Sequence, residues 1–104
     1  MLYVLHCLDR KNGAALREAN REDHAAYMRK HADHVVLGGP LLAADGQTRI
    51  GVLAVVRFST RAQLETFAAE EPYRQAGLFS SVRMTPFQTV MQNPQPSAPG
   101  VSTC

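Results

Sequence analysis

The sequence predicts an α+β domain of order β-α-β-β-α-β, the ferredoxin-like topology. Two observations carry that expectation. Four short segments are rich in Leu, Val, Ile and aromatic residues, as strands are. Two longer segments, rich in Ala, Leu, Glu and Arg, follow the first and the third of them and carry helical periodicity.

The first strand is "LYVLHCLD" at 2–9, and "RKNG" at 10–13 is a loop. "AALREANREDHAAYMRKHA" at 14–32 reads as one helix, because its residues favour that state. "HVVLGGPLLA" at 34–43 is the second strand, interrupted by Gly38, Gly39 and Pro40. Asp45-Gly46 in "ADGQ" is a hairpin signal, and "TRIGVLAVVRF" at 48–58 is the third strand. In "STRAQLETFAAEE" at 59–71, Thr60 and Gln63 can form a capping box and Leu64, Phe67 and Ala68 a buried stripe, until Pro72 stops the helix. The fourth strand, "LFSSVRMTPFQTVM" at 78–91, contains Pro86 and so belongs at an edge or a bulge.

The first and third strands do not alternate between apolar and polar as a half-exposed sheet does. Leu2, Val4 and Leu8 oppose Tyr3, Leu5 and Cys7, while Val52, Ala54 and Val56 oppose Leu53 and Val55. Two helices cover only one face, so a second copy of the chain is expected to cover the other, giving a homodimer.

The chain of 104 residues reads as one domain over 1–91 and a tail over 92–104. That tail, "QNPQPSAPGVSTC" after the last strand, has too little apolar content to recover its ordering entropy and is expected to be flexible and dispensable. A net charge of +2, with no block of Lys and Arg interleaved with aromatics, argues against nucleic acid as a partner. No segment has the apolar length of a membrane span, and the N-terminal residues lack the features of a signal peptide. A cytoplasmic location is the expectation. Cys7 and Cys104 are not expected to pair.

The first helix holds an inconsistency. Leu16, Asn20, His24, Tyr27 and His31 fall in one sector of the helical wheel, and Leu16 and Tyr27 mark it as buried. A buried polar side chain without a partner costs roughly 1–3 kcal/mol, so each needs one or must line a cavity. His31, near the helix end, is expected to tie to a backbone carbonyl. His24 lies where the helix carbonyls are already used, so a side-chain partner is expected. Asp9, at the end of the first strand, is the candidate; its carboxylate would fix the imidazole tautomer and leave the other nitrogen free for proton transfer. Without the helix inconsistency, Asp9 reads better as a turn residue closing "DRKNG".

The sequence resembles the YCII-related (YciI-like) family over about residues 1 to 91. The resemblance rests on "LYVLHCLD" with its terminal acid, Arg21-x-x-His24, "GGPL" at 38–41, "EEPYRQAGLF" at 70–79 and "VRMTPFQTV" at 82–90. It implies a ferredoxin-like fold assembled as a dimeric α/β barrel. It also implies a His–Asp active site, which falls here on His24 and Asp9. Most members have no assigned reaction, and one branch includes an enzyme that removes chloride from a chlorinated hydroxyhydroquinone. Where the family commonly has Asp-Pro before an aromatic residue, this chain has Glu71-Pro72-Tyr73. The added methylene shifts the carboxylate by about one bond length; if the acid caps a turn Glu should serve it poorly, and if it touches substrate the specificity should differ.

Arg21, one turn before His24, could hold a carboxylate or phenolate, against the commoner outcome of a solvated arginine. Gly38 and Gly39 would let the backbone approach a ligand or a crossing helix closely, or equally mark a bulge in an edge strand, and Gly39 and Pro40 are candidate substrate-binding residues. Tyr73 is a lid or simply core. Ser80 and Ser81 lack an activating context. No metal is expected, since His24 and His31 lie roughly 10 Å apart along a helix, too far for a shared ion. No cofactor is expected either, since there is no phosphate loop or dinucleotide fingerprint. The expected function is a small cofactor-independent enzyme using His24 and Asp9 for acid–base chemistry on a hydroxylated aromatic or lactone-like metabolite. The alternative is a non-catalytic module for ligand binding or dimerisation.

Overall fold

In the computed structural model, which describes residues 1–93, the order of elements is β1 (Leu2–Asp9), α1 (Ala14–Ala19), α2 (Arg21–Lys30), β2 (Val35–Leu42), β3 (Arg49–Arg57), α3 (Arg61–Glu70), α4 (Pro72–Gln75) and β4 (Phe79–Phe87). A single 3-10 turn, Ala32–His34, joins α2 to β2. The expected flexible tail lies outside the described residues except for its first two positions, and Cys104 lies outside them as well.

The four strands form one antiparallel sheet in the order β2-β3-β1-β4, which with one layer of helices on one face is the ferredoxin-like arrangement. The most apolar strands, β1 and β3, are central. The two strands that contain proline, β2 with Pro40 and β4 with Pro86, are the edges, where a missing N–H donor is tolerated. Pairing aligns Tyr3 with Val56, Leu5 with Ala54 and Cys7 with Val52, and all six are buried beneath the helices. Leu64, Phe67 and Ala68 of α3 close over them, with Phe58, Tyr73 and Leu78 completing the core.

The 14–32 helix is divided at Asn20. Its backbone leaves the helical region (φ −111°, ψ 7°), and its Nδ2 donates to the Leu16 carbonyl at 2.9 Å. Asparagine side chains compete in this way for backbone groups, so Asn20 on the apolar stripe is satisfied locally. Thr60 forms the expected capping box: its hydroxyl accepts from Gln63 N, and the Gln63 side chain accepts from the Thr60 N–H. Pro72 follows the end of α3 as expected but also opens α4 as its first residue, where its fixed φ suits a helix start. The β2–β3 turn is held by Asp45, whose Oδ1 accepts from Gln47 N and Thr48 N. On β4 a register shift opposite Leu8 and Asp9 is covered by the Ser80 hydroxyl, which donates to both carbonyls.

The face of the sheet turned away from the helices carries Leu2, Val4, Leu53 and Val55 in its central strands. It is extended by Leu37, 61% exposed, and by Phe87, 43% exposed.

Candidate functional site

Two buried charged residues organise one end of the helical layer. Arg17, on α1, is only 8% exposed. Its Nε and Nη2 donate to the two oxygens of Asp9 at 2.8 and 3.0 Å, and Nη2 also donates to the Gly51 carbonyl at 3.0 Å. The planar guanidinium fork matches a carboxylate in this bidentate manner. Burial works against the Arg17 charge, but the hydrogen bond and charge of Asp9 outweigh it and leave the arginine pKa raised.

Glu71, 5% exposed, occupies the junction between α3 and α4. One carboxylate oxygen accepts from Arg74 N at 3.1 Å and so caps α4. The other is hydrogen-bonded to His24 Nδ1. His24 is further fixed by stacking on Tyr73, with ring centroids 4.1 Å apart and planes 15° from parallel. The Arg17 guanidinium lies 4.8 Å from the centroid of the same Tyr73 ring, within cation–π range. Burial raises the Tyr73 phenol pKa and Glu71 adds to the rise, while Arg17 and Arg49 oppose it.

His24 and Tyr73 border a cleft of about 530 Å³ between the helical layer and the edge strand β2. Arg17, Arg21, Arg29 and Arg49 also border it, and Met28, Val35, Pro40, Val52 and Ala54 supply apolar surface. With Nδ1 engaged by Glu71, His24 Nε2 has no hydrogen-bond partner among the described residues. Such an imidazole, oriented by a carboxylate and facing a cleft, can accept or deliver a proton.

Five of the six residues selected from sequence meet at this cleft: His24, Arg21, Gly39, Pro40 and Tyr73. Arg21 also pairs with Glu18 at 3.4 Å on the exposed side of the helix. A side chain at Gly39 would meet nothing within 4 Å, so packing does not require glycine there. The expected hydrogen bond between Asp9 and His24 is replaced by two others. Asp9 turns to Arg17, whose fork satisfies both its oxygens, and His24, two turns further along, is reached by Glu71. The expectation that glutamate would cap poorly is corrected too. The longer side chain spans both tasks, one oxygen on Arg74 N and the other on the imidazole. Tyr73 is both core and cleft wall.

Arg17 was missed as a site residue. The signal was available: Arg17, Arg21, His24 and Met28 recur at helical spacing and all line the cleft. His31 packs edge-on against Phe67, with centroids 5.4 Å apart, instead of tying to a backbone carbonyl. That tie belongs to His34, whose Nδ1 donates to the Arg57 carbonyl at 3.0 Å. Among the described residues no three His, Cys, Asp or Glu side chains are grouped so as to hold a metal ion, and no helix is long and apolar enough to cross a membrane.

The model of the YCII-related domain family matches residues 1–88. The chain belongs to this family. An uncharacterized protein of Haemophilus influenzae is 28% identical to this YCII-related chain over 97 residues, covering 86% of the chain and 99% of the relative. Among solved structures, the domain is similar to 5-chloro-2-hydroxyhydroquinone dehydrochlorinase of Burkholderia phenoliruptrix AC1100 in complex with 2,5-dihydroxybenzoquinone. The TM-score is 0.80 at 24% identity, over 85% of this chain and 94% of that one. At that identity the likeness concerns the fold. The YCII-related domain thus has the ferredoxin-like α+β architecture expected from its sequence, with a small-molecule enzyme among its structural neighbours.

Proposed function

We propose that this YCII-related domain is a small-molecule enzyme in which His24 moves a proton at a hydroxylated ring or dicarbonyl compound bound in the cleft. The carrying observation is the His24–Glu71 hydrogen bond beside an open cleft. Glu71 holds the Nδ1–H tautomer and balances the imidazolium formed when Nε2 takes a proton. Tyr73 fixes the ring plane by stacking. Asp9 acts one step back, by anchoring Arg17 at the cleft wall. Isomerisation and halide elimination both need a proton removed from one atom of the substrate, and the His24–Glu71 unit suits either. The ligand of the structural neighbour, a dihydroxylated quinone, supports a hydroxylated ring as the substrate class.

The test is turnover of chlorinated hydroxyhydroquinones, followed by chloride release, together with binding of 2,5-dihydroxybenzoquinone to the purified protein. His24→Gln should keep the fold and lower turnover by roughly 10²–10⁴-fold. Neither binding nor turnover across a panel of phenolic, quinone and lactone compounds would overturn the reading. The same chain is proposed to work as a homodimer. The apolar face with Leu53 and Val55 then stacks on its copy, and the cleft opens on the opposite side of the sheet.

A further inference from the structure

The chain has 11 Lys and Arg against 9 Asp and Glu, yet four arginines and no carboxylate border the cleft. Two of the four are compensated. Arg17 is bound by Asp9, and Arg21 pairs with Glu18 on the outer side of the helix. Arg29 and Arg49 have no carboxylate at ion-pair distance among the described residues. They come from different walls, Arg29 from the last turn of α2 and Arg49 from the first residue of β3. Unmatched guanidinium groups around one apolar concavity repel one another, and the low-dielectric walls focus their field into the cleft. The Glu71 carboxylate does not neutralise them, because it lies behind His24, already bonded to the imidazole and to Arg74 N.

We propose that Arg29 and Arg49 determine the substrate's charge: the cleft takes an anionic ring compound, and these two arginines bind its carboxylate or ionised ring oxygen. The inference rests on the reading of the cleft as the site where His24 acts, and it narrows the ligand within that reading. Met28, Pro40, Val52 and Ala54 bury the hydrocarbon of the ring. Guanidinium forks suit a carboxylate, and a charge-assisted contact is stronger than a neutral one. A neutral compound of the same shape would leave both arginines unmatched.

The experiment is calorimetric titration of the full chain with 2,5-dihydroxybenzoate and with hydroquinone, which differ only in the carboxylate. The anion is expected to bind at least about tenfold more tightly, with an advantage that shrinks as salt rises. Arg29→Gln and Arg49→Gln should each lose about tenfold for the anion and leave hydroquinone unchanged. Because both side chains are charged and unmatched, neither variant should lower the melting temperature at low salt. Equal affinity of wild type for the two compounds, no anion binding at millimolar concentration, or anion affinity unchanged in both variants would overturn the proposal. His24→Gln separates the two readings. It should retain the anion affinity, so a loss of turnover on that substitution with arginine variants unaltered sinks only the arginine assignment. Selective anion binding by the arginines with turnover unaffected by His24→Gln sinks only the proton-transfer role.

Discussion

Arg17 and Asp9 bury opposite charges against each other, and neither can be removed singly without stranding its partner. Arg17→Met is expected to cost about 3–5 kcal/mol in urea unfolding, and the double variant with Asp9→Asn less than the sum of the two single losses. Cys7 carries a buried thiol. Burial pushes its thiol up to about 12, with Glu71 adding to the rise. Iodoacetamide at pH 8 should therefore leave Cys7 unmodified in the folded protein and alkylate it in guanidinium, as read by peptide mass. At this scale the sequence exposed His24 because an imidazole stood on an apolar stripe. It did not expose Glu71 as the partner, since that contact spans 47 residues and exists only once α4 packs against α2. Asp9 at the strand end was given His24 as its partner, whereas Arg17, to which the sequence reading assigned no role, takes both of its oxygens.

Among the elements, β2 forms the wall of the cleft that faces the helices. Gly38 pairs with Ala54 on the cleft side of the sheet. A Cβ placed there would make only ordinary contacts, 3.5 Å to Val35 and 3.6 Å to Ala54. Gly38→Val should thus fold normally, since a β-branched residue suits a strand, while its methyl groups enter the cleft and weaken ligand binding. Loss of fold measured by circular dichroism, or unchanged affinity, would contradict this. The capping box makes a cleaner energetic test: Thr60→Ala should cost about 1 kcal/mol in thermal or urea unfolding. Element order, the capping box and the edge positions of the proline strands were legible because each follows from local chemistry. The split at Asn20 and the extra turn α4 were not. Asparagine is tolerated within a helix, and Pro72 signals an end and a beginning equally well.

For the molecule as a whole, the apolar content of both sheet faces leads to the expectation of a dimer. Leu53→Asp is expected to yield a monomer by light scattering at micromolar concentration while the cleft side keeps its ligand affinity. A wild-type monomer under the same conditions would leave the exposed Leu37 and Phe87 of that face without a partner. Stability should also depend on alkaline pH. Burial raises the Tyr27 phenol from 10.0 to about 12, as it raises Cys7 from 9.0 to about 12. Both groups are protonated in the folded state at pH values where the unfolded chain loses the proton. Their contribution is therefore complete below pH 9.0 and is lost as pH rises toward about 12. The unfolding midpoint should fall across that interval, and Cys7→Ala should remove the earlier part of the decline.

Glu71 makes the backbone of α4 a listening post for the chemistry of the cleft. The carboxylate that bonds His24 also accepts from the Arg74 N–H. Any change of charge on the imidazole or the carboxylate must alter the polarisation of that amide. In a nitrogen–proton correlation spectrum the Arg74 resonance should then move when a ligand engages His24 in the cleft. Glu71→Gln should hold it fixed. An amide outside the cleft would report occupancy of the site without any label on the substrate.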